Sequence, residues 1–317
     1  MNKRKIFFRA DAGHKIGYGH FIRSLALADM LKDDFYCTFF TQSPSDYQQR
    51  EAGKVCPLVS LPFDESKFEK FLEYLNGDEI VVLDNYFFTS EYQKQIKDKG
   101  CKLVCIDDMH DKHYYADVVI NHGLTDESLF DKEPYTRLCL GMHYALLRKP
   151  FLEHNILKKE KGHWFVSFGG TDFDNMTAKY VGYLDTDSSV NSITVVIGDS
   201  FNYIDSLYAF RKIEIKKNLS ASQMQQEMMR AEYAVLPSSS VCIEAISCQC
   251  KIASGYYVAN QQGFAILLAE NHLIYPLGNL YDWQGASFIA DIQKYEFSEG
   301  VDFSEVPSNY IKMFNQL

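Results

Sequence analysis

The sequence contains no Cys-x-x-Cys pair, although it has eight cysteines among its 317 residues. Zinc ribbons are built on such pairs, and the spacing here supports neither a zinc ribbon nor a disulfide framework. Most of the cysteines lie within apolar strand or helix patterns. We therefore predict buried, reduced thiols, which are typical of cytosolic proteins.

The sequence also lacks any cluster of basic residues. Its formal net charge is -10 and its pI is about 5.4. Nucleic-acid binding needs a concentrated positive surface, so we expect no nucleic-acid partner. A small anionic ligand is not excluded, because the N-terminus of a helix can bind it without many basic side chains.

Long apolar runs are absent as well. The basic N-terminal residues are followed only by an apolar run of strand length. We therefore expect no signal peptide, no membrane-spanning helix and no membrane partner, and we expect a cytoplasmic location.

The chain has no repeat of fixed period, and instead short β-rich runs alternate with amphipathic segments. In the first half this pattern predicts strands at 5–11, 35–41, 55–61, 80–84, 102–107 and 118–121, and helices at 21–31, 47–52, 66–75 and 90–99. In the second half it predicts strands at 164–168, 193–197, 233–236 and 252–256, and helices at 175–184, 203–210, 220–230, 241–248 and 261–269. Ser220 and Gln223 form a capping box for one of these helices. Such alternation predicts an α/β fold with a doubly wound parallel sheet in each half.

A charged stretch at 148–161, which contains Pro150, interrupts the alternation and is interpreted as a linker. The predicted domains are 1–150, an N-terminal Rossmann-like domain with the catalytic loop, and 151–317, a C-terminal Rossmann-like nucleotide-binding domain. Two such halves predict a cleft between them, lined by the carboxyl ends of the strands.

The loop "RADAGHKIGYGH" at 9–20 follows the first predicted strand. Its glycines match neither the Gly-x-Gly-x-x-Gly fingerprint nor a Walker-type phosphate loop. Gly17 and Gly19 permit a positive φ or a close approach to a ligand. His20 lies where the first helix begins, and a helix N-terminus disfavours imidazolium, so this histidine is a candidate general base. The alternative is that the glycines only make a turn and His20 only caps the helix.

Three further segments carry polar residues at strand ends. "VSFGGTD" at 166–172 provides Gly169 and Gly170, "PSSSVCIE" at 237–244 provides a serine cluster and Glu244, and "ANQQG" opens the next helix. Hydroxyls and free amides at a helix N-terminus suit a pyrophosphate, and a glutamate one turn later can accept hydrogen bonds from ribose hydroxyls. The alternative is a serine N-cap followed by a solvated glutamate.

Taken in order, several segments resemble the UDP-sugar hydrolases of pseudaminic acid biosynthesis, a group with relatives labelled spore-coat polysaccharide proteins. The resemblance runs from Arg9 to about Gln262. The segments are "RADAGHKIGYGHFIRSLALA", "VVLDNY", "CIDDMHDKHYYADVVIN", "LCLGMHYALLRKPF", "FVSFGGTDFDN", "SSSVCIEA" and "ANQ". It implies a two-domain glycosyltransferase-B (GT-B) fold and metal-independent hydrolysis of a UDP-linked diacetamido-trideoxy sugar, with inversion and release of UDP.

The resemblance also implies roles for individual residues. His20 matches the catalytic histidine and Tyr86 the tyrosine beside it, while Glu244 matches the glutamate that holds the uridine ribose. The remaining substrate contacts are predicted at Arg9, Asp11, Gly17, Gly19, Gly169, Gly170, Ser239, Ser240, Asn260 and Gln261.

The sequence departs from the family pattern at several places. Ala12 replaces the first glycine of "RADGG", which costs little only if φ is negative there. Ser239, Ser240 and Val241 stand where the family has Gly-Ser-Thr, which removes one phosphate donor. Lys149-Pro150 stands where Pro-Glu is common.

Other sites and functions compete with this interpretation. "DDMHDKH" at 107–113 offers acidic and histidine side chains for a metal, but we expect Asp107 to organise a turn, and we predict no metal and no cofactor. The histidines His14, His110, His113 and His122 are expected at the surface. The alternative functions are a GT-B glycosyltransferase and a nucleotide-sugar-binding protein without turnover.

Overall fold

The structure is a computed structural model that describes residues 3–13, 16–123, 125–153, 158–170, 172 and 174–317. The chain divides into two compact units, and the first combines Met1–Lys149 with Phe303–Leu317. The second unit comprises Pro150–Asp302. The division at Lys149 falls within the predicted linker.

The first unit is built on a parallel sheet of seven strands. The strands are β1 (Lys5–Arg9), β2 (Tyr36–Gln42), β3 (Leu58–Leu61), β4 (Ile80–Leu83), β5 (Lys102–Ile106), β6 (Val118–Asn121) and β7 (Arg137–Leu140). The helices between them are α1 (Gly19–Leu31), α2 (Asp46–Ala52), α3 (Ser66–Leu72) and α4 (Ser90–Asp98). The strand order is β3-β2-β1-β4-β5-β6-β7.

The second unit contains a parallel sheet of six strands. They are β8 (Glu160–Val166), β9 (Ser192–Ile197), β10 (Ile213–Lys217), β11 (Ala231–Pro237), β12 (Lys251–Tyr256) and β13 (Tyr275–Asn279). Its helices are α5 (Met176–Thr186), α6 (Ile204–Leu207), α7 (Ala221–Arg230), α8 (Ser240–Ser247), α9 (Ala259–Glu270) and α10 (Ser287–Ile292). The order β10-β9-β8-β11-β12-β13 repeats the arrangement of the first sheet.

Both sheets are doubly wound, as the alternation predicted. Every residue of β4 and β6 is buried, because helices cover both faces of a parallel sheet. In each sheet the strand order reverses once, between β1 and β4 and between β8 and β11. Doubly wound proteins bind ligands at this switch point, outside the carboxyl ends of the strands.

Two helix starts follow local capping chemistry. The predicted capping box of Ser220 and Gln223 opens α7. An equivalent box of Ser45 and Gln48 opens α2, one residue before the predicted start. Strands β7, β10 and β13 and helix α10 had no counterpart in the sequence prediction.

The predicted linker is shorter in the structure. Glu160–Val166 forms β8, so the charged residues from Glu160 onward begin a strand instead of extending the linker. The linker residues 154–157 lie outside the described residues, as do His14 and the threonine of "VSFGGTD".

The helix α11 (Val306–Asn315) belongs to the first unit, whereas the sequence assigned 151–317 to the second domain. Its residues Val306, Tyr310, Met313 and Phe314 form one buried stripe at helical spacing. The Tyr310 hydroxyl donates to the carbonyl of Tyr144 at 2.5 Å, within the first unit. The physical reason for the difference is this apolar stripe, which needs a partner surface and finds it on the first unit.

The eight cysteines are free and buried, as predicted. Across the described ranges, none of the helices has the length and apolar composition needed to cross a membrane.

Candidate functional site

The loop after β1 closes on itself between Gly13 and Gly17. The amide of Gly17 donates to the carbonyl of Gly13 at 2.7 Å, and the amide of Gly13 donates back at 3.3 Å. Gly17 has a φ of +79°, in the left-handed region that favours glycine. Gly19 instead begins α1 with helical backbone. Ala12 has a negative φ, so its replacement of a glycine costs no backbone strain.

His20 is the second residue of α1 and is buried, with its ring held from β4. Its Nδ1 lies 2.7 Å from Oδ1 of Asp84, the residue that directly follows β4. The contact therefore spans the switch point of the first sheet. A carboxylate at Nδ1 accepts the proton of that nitrogen, so a neutral ring presents Nε2 as its acceptor.

Both carboxylate oxygens of Asp84 bind side chains of α1. Its carboxylate accepts hydrogen bonds from Nε of Arg23 at 2.7 Å, from Nη2 of Arg23 at 2.6 Å and from the Ser24 hydroxyl at 3.0 Å. Burial alone would raise the pKa of Asp84, but the Arg23 guanidinium holds it well below its ordinary value. Asp84 is therefore a charged carboxylate over the working pH range.

Tyr86 packs against His20. The two rings meet edge to face, with centroids 4.6 Å apart. The Tyr86 hydroxyl donates to Oδ2 of Asp108 at 3.0 Å, and the same oxygen accepts from Nη1 of Arg23 at 2.6 Å. The tyrosine ring is 37% exposed, so it can reach a ligand.

Asn85, between these two residues, joins the loops after β1 and β4. Its side-chain oxygen accepts from the amide of Asp11 at 2.6 Å, and its amide group donates to the carbonyl of Asp11 at 3.2 Å. All three residues of "DNY" thus contact the first loop or helix α1. Of this triplet, the sequence indicated only Tyr86 as a site residue.

Arg9 and Asp11 require a correction, because both side chains are fully buried and bind each other. Asp11 also accepts from the amide of Gln42 at 2.8 Å and lies 3.3 Å from Nζ of Lys67. Burial would raise the pKa of Asp11, but the hydrogen bond from Arg9 and the positive charges lower it. These buried side chains stabilise the loop after β1 and are not exposed to a substrate.

In the second unit, the predicted polar segments follow three neighbouring strands. Strand β11 lies between β8 and β12, so the loops after these strands meet at one edge of the sheet. Gly169 is exposed with a φ of +86°, and Gly170 follows it. The carboxylate of Asp172 accepts from the amides of Met176 and Thr177, both at 2.8 Å, and so caps α5.

The serine segment differs from the simple capping alternative. Ser239 precedes α8 with extended backbone (φ -146°), so no glycine is needed there. Within the described part of the chain, the Ser239 side chain makes no capping hydrogen bond to α8, and Ser240 is the first helical residue. Glu244 is buried rather than solvated.

Asn260 and Gln261 lie in the first turn of α9. Gln261 is buried, and its side-chain oxygen accepts from the amide of Tyr257 at 3.2 Å. Gln261 therefore stabilises the start of α9, whereas Asn260 is partly exposed at the same sheet edge.

The competing acidic segment forms a turn. Oδ1 of Asp107 accepts from the amides of Met109 at 2.6 Å and of His110 at 3.0 Å, as expected of a turn-organising aspartate. Among the residues that the structure describes, no group of three or more His, Cys, Asp or Glu side chains could hold a metal ion. His122 is buried, which corrects its predicted exposure, and burial lowers its pKa to about 4 despite the opposing charge of Asp108.

Comparison with known proteins identifies two curated relatives over most of the chain. The UDP-2,4-diacetamido-2,4,6-trideoxy-beta-L-altropyranose hydrolase of Campylobacter jejuni is 25% identical over 84% of this chain and 96% of its own length. The spore coat polysaccharide biosynthesis protein SpsG of Bacillus subtilis is 25% identical over 75% of this chain and 73% of its own. No protein-family model matches the chain.

Solved structures share the fold at low sequence identity. The Staphylococcus aureus MnaA–UDP structure has a TM-score of 0.65 at 13% identity, covering 99% of this chain and 97% of that one. A calicheamicin glycosyltransferase has a TM-score of 0.61 at 10% identity, covering 100% and 95%. These likenesses establish the fold, which is of the GT-B type with two Rossmann-like domains. The chain is a distant relative of the UDP-2,4-diacetamido-2,4,6-trideoxy-beta-L-altropyranose hydrolase, as its motifs predicted.

Proposed function

We propose that the chain hydrolyses a UDP-linked diacetamido-trideoxy sugar without a metal ion and releases UDP with inversion. The reaction would serve the biosynthesis of a nonulosonic acid of the pseudaminic type, in the cytoplasm. The observation that carries the proposal is the contact of 2.7 Å between Nδ1 of His20 and Asp84 at the switch point of the first sheet. The distant hydrolase relative supports the reaction type.

His20 is the general base in this mechanism. With its Nδ1 proton held by Asp84, Nε2 takes a proton from water as the water oxygen bonds to the anomeric carbon. The bond from that carbon to the phosphate oxygen breaks, and UDP leaves with the electron pair. Attack on the face opposite UDP inverts the configuration, as in inverting glycosidases. Tyr86 lies edge-on to the base and orients water or substrate.

The second unit holds the nucleotide in this proposal. The backbone amides at the start of α8, with the hydroxyls of Ser239 and Ser240, stabilise the charge of the leaving diphosphate in place of a divalent cation. Glu244 accepts hydrogen bonds from the ribose. Gly169 and Gly170 allow close approach of the backbone, and Asn260 contacts the substrate.

A GT-B glycosyltransferase is the second candidate function, because a glycosyltransferase shares the fold. In that case the hydroxyl group of an acceptor sugar replaces water as the nucleophile. The same base would serve both reactions, so the protein must be tested with and without an acceptor.

The test incubates the protein with the UDP-linked diacetamido-trideoxy sugar and measures UDP. Release without an acceptor supports hydrolysis, release only with an acceptor supports transfer, and binding without release supports a binding protein. Proton NMR of the first sugar product reports inversion or retention. Loss of activity in chelator, restored by magnesium, would refute the metal-independent mechanism.

The role of His20 is tested with His20→Asn, which keeps some hydrogen bonding but removes the base. We expect turnover to fall about 100-fold or more, with little change in UDP affinity. Near-normal turnover, or loss of UDP binding instead, would contradict the assignment of His20 as the base.

A further inference from the structure

We propose that Arg23 is a positioning residue that sets the geometry of both His20 and Tyr86. Its guanidinium binds Asp84, which holds the imidazole of His20, and also binds Asp108, which holds the hydroxyl of Tyr86. One side chain therefore links the supports of both proposed catalytic residues. This inference rests on the proposed function. It identifies Arg23 as a residue that the reaction needs although its side chain does not touch the substrate.

The location of Arg23 suits this role. It lies three residues after His20 on α1, so both side chains occupy one face of the helix. Arg23 is 5% exposed and offers three nitrogens to two carboxylates at 2.6–2.7 Å. Two parallel bonds to Asp84 fix the plane of that carboxylate, which directs Oδ1 toward Nδ1 of His20. A lysine has the charge but not this fork.

Arg23 also sets the charge around His20. The charged or titratable groups around the ring are Asp84 from the end of β4 and Arg23 on its own helix, with Asp108 and His122 from the next two loops. Nη2 of Arg23 lies 3.3 Å from Nδ1 of His20. The positive charge of Arg23 therefore lies beside the proposed base. Removing Arg23 leaves Asp84 without its cationic partner.

The contact with Asp108 also defines what Tyr86 can do. Burial would raise the pKa of Asp108, but Arg23 lowers it, so the carboxylate is ionised and can only accept. The Tyr86 hydroxyl donates its hydrogen bond to that carboxylate. Toward a ligand its oxygen then acts as an acceptor, which suits the N–H of an acetamido group or the O–H of water.

The first experiment compares Arg23→Lys and Arg23→Gln with wild type in the UDP-release assay. We expect kcat to fall about 10-fold to 100-fold in both variants, as for misplaced catalytic groups, with KM changed less than about 3-fold. Unchanged kcat in both variants would overturn the inference. Arg50→Gln, on the exposed surface of α2, is the matched control and should change neither quantity.

A double-mutant cycle tests the connection through Asp108. Asp108→Asn and Tyr86→Phe should each lower kcat, and the double variant should be no slower than Tyr86→Phe, because Asp108 acts through the tyrosine. Additive losses would overturn this part of the inference. Circular dichroism of each variant separates an effect on activity from loss of the folded protein.

Imidazole ¹⁵N NMR of the histidine-labelled protein gives a readout that needs no substrate. The His20 signal, assigned by its loss in His20→Asn, should show a proton on Nδ1 and none on Nε2 in the neutral ring. A wild type that releases no UDP would refute the proposed function alone, whereas the opposite tautomer of His20 in wild type would refute the hydrogen bond through which Arg23 acts on His20.

Discussion

The buried histidine after β6 predicts an acid sensitivity of the first unit. His122 is 4% exposed, and burial lowers its pKa to about 4, against an ordinary value of 6.5. The unfolded chain therefore binds this proton more tightly than the folded protein does. This group does not reduce the free energy of unfolding above about pH 6.5, and its destabilising effect grows as the pH decreases toward 4.

The size of the effect follows from the two pKa values. Between pH 7 and pH 5, this single group should lower the free energy of unfolding by about 2 kcal/mol, and the full loss below pH 4 is about 3 kcal/mol. The carboxylates Asp84 and Asp108 also have lowered pKa values, but they lose their contribution only below about pH 4. These two carboxylates therefore contribute little to the change in stability between pH 7 and pH 5.

Urea unfolding of wild type and His122→Gln at both pH values measures this difference. The substitution also changes the packing at this position, so the quantity compared is the change in the free energy of unfolding between pH 7 and pH 5 in each protein. His163 has a lowered pKa in the second unit, and its contribution cancels in the comparison. We expect wild type to lose about 2 kcal/mol more than the variant. An equal loss in both proteins would refute the assignment.

Three further predictions concern the two sites and the loop between Gly13 and Gly17. Asp84→Asn should lower turnover about 100-fold or more with UDP affinity unchanged, as measured by UDP release and calorimetry; equal loss of both would contradict its role on His20. Glu244→Gln should weaken UDP binding about 10-fold, as expected for the loss of a charged hydrogen bond, whereas the exposed Glu270→Gln should not. Gly17→Ala should cost about 1–2 kcal/mol of stability in thermal unfolding because of its positive φ, and Gly19→Ala, in helical backbone, should cost none.

Much of the fold was predictable because its signals are local. Strands buried on both faces appear as continuous apolar runs, and the capping box of Ser220 and Gln223 marks a helix start within four residues. Strand β7 was missed because Arg137–Leu140 lies at the edge of the sheet, begins with a charged residue and is mostly not fully buried, so its apolar signal is weaker than that of the inner strands. Helix α11 carried a clear apolar stripe, but its packing on the first unit depends on a surface distant in sequence.

The site was predictable only where one segment carried the signal. His20 stands out through its glycine loop and helix start, but its partner Asp84 is 64 residues away. An aspartate at the end of a buried strand is a usable signal that the "DNY" segment offered. Arg9 and Asp11 were assigned to the substrate because they lie in the motif "RADAGHKIGYGH", which carries the family resemblance. Their mutual pairing and burial depend on Lys67 and Gln42, which the sequence does not place beside them.

The packing of α11 has a consequence for biogenesis. The packing of the first unit is complete only when Tyr310 contacts Tyr144 and Phe314 contacts Phe35. A ribosome synthesises the whole second unit before it synthesises these residues. During that time an apolar surface of the nascent first unit remains uncovered. Helix α1, which carries His20 and Arg23, contacts α11. The proposed base therefore lies in an incompletely packed unit until residues 306–315 have been synthesised.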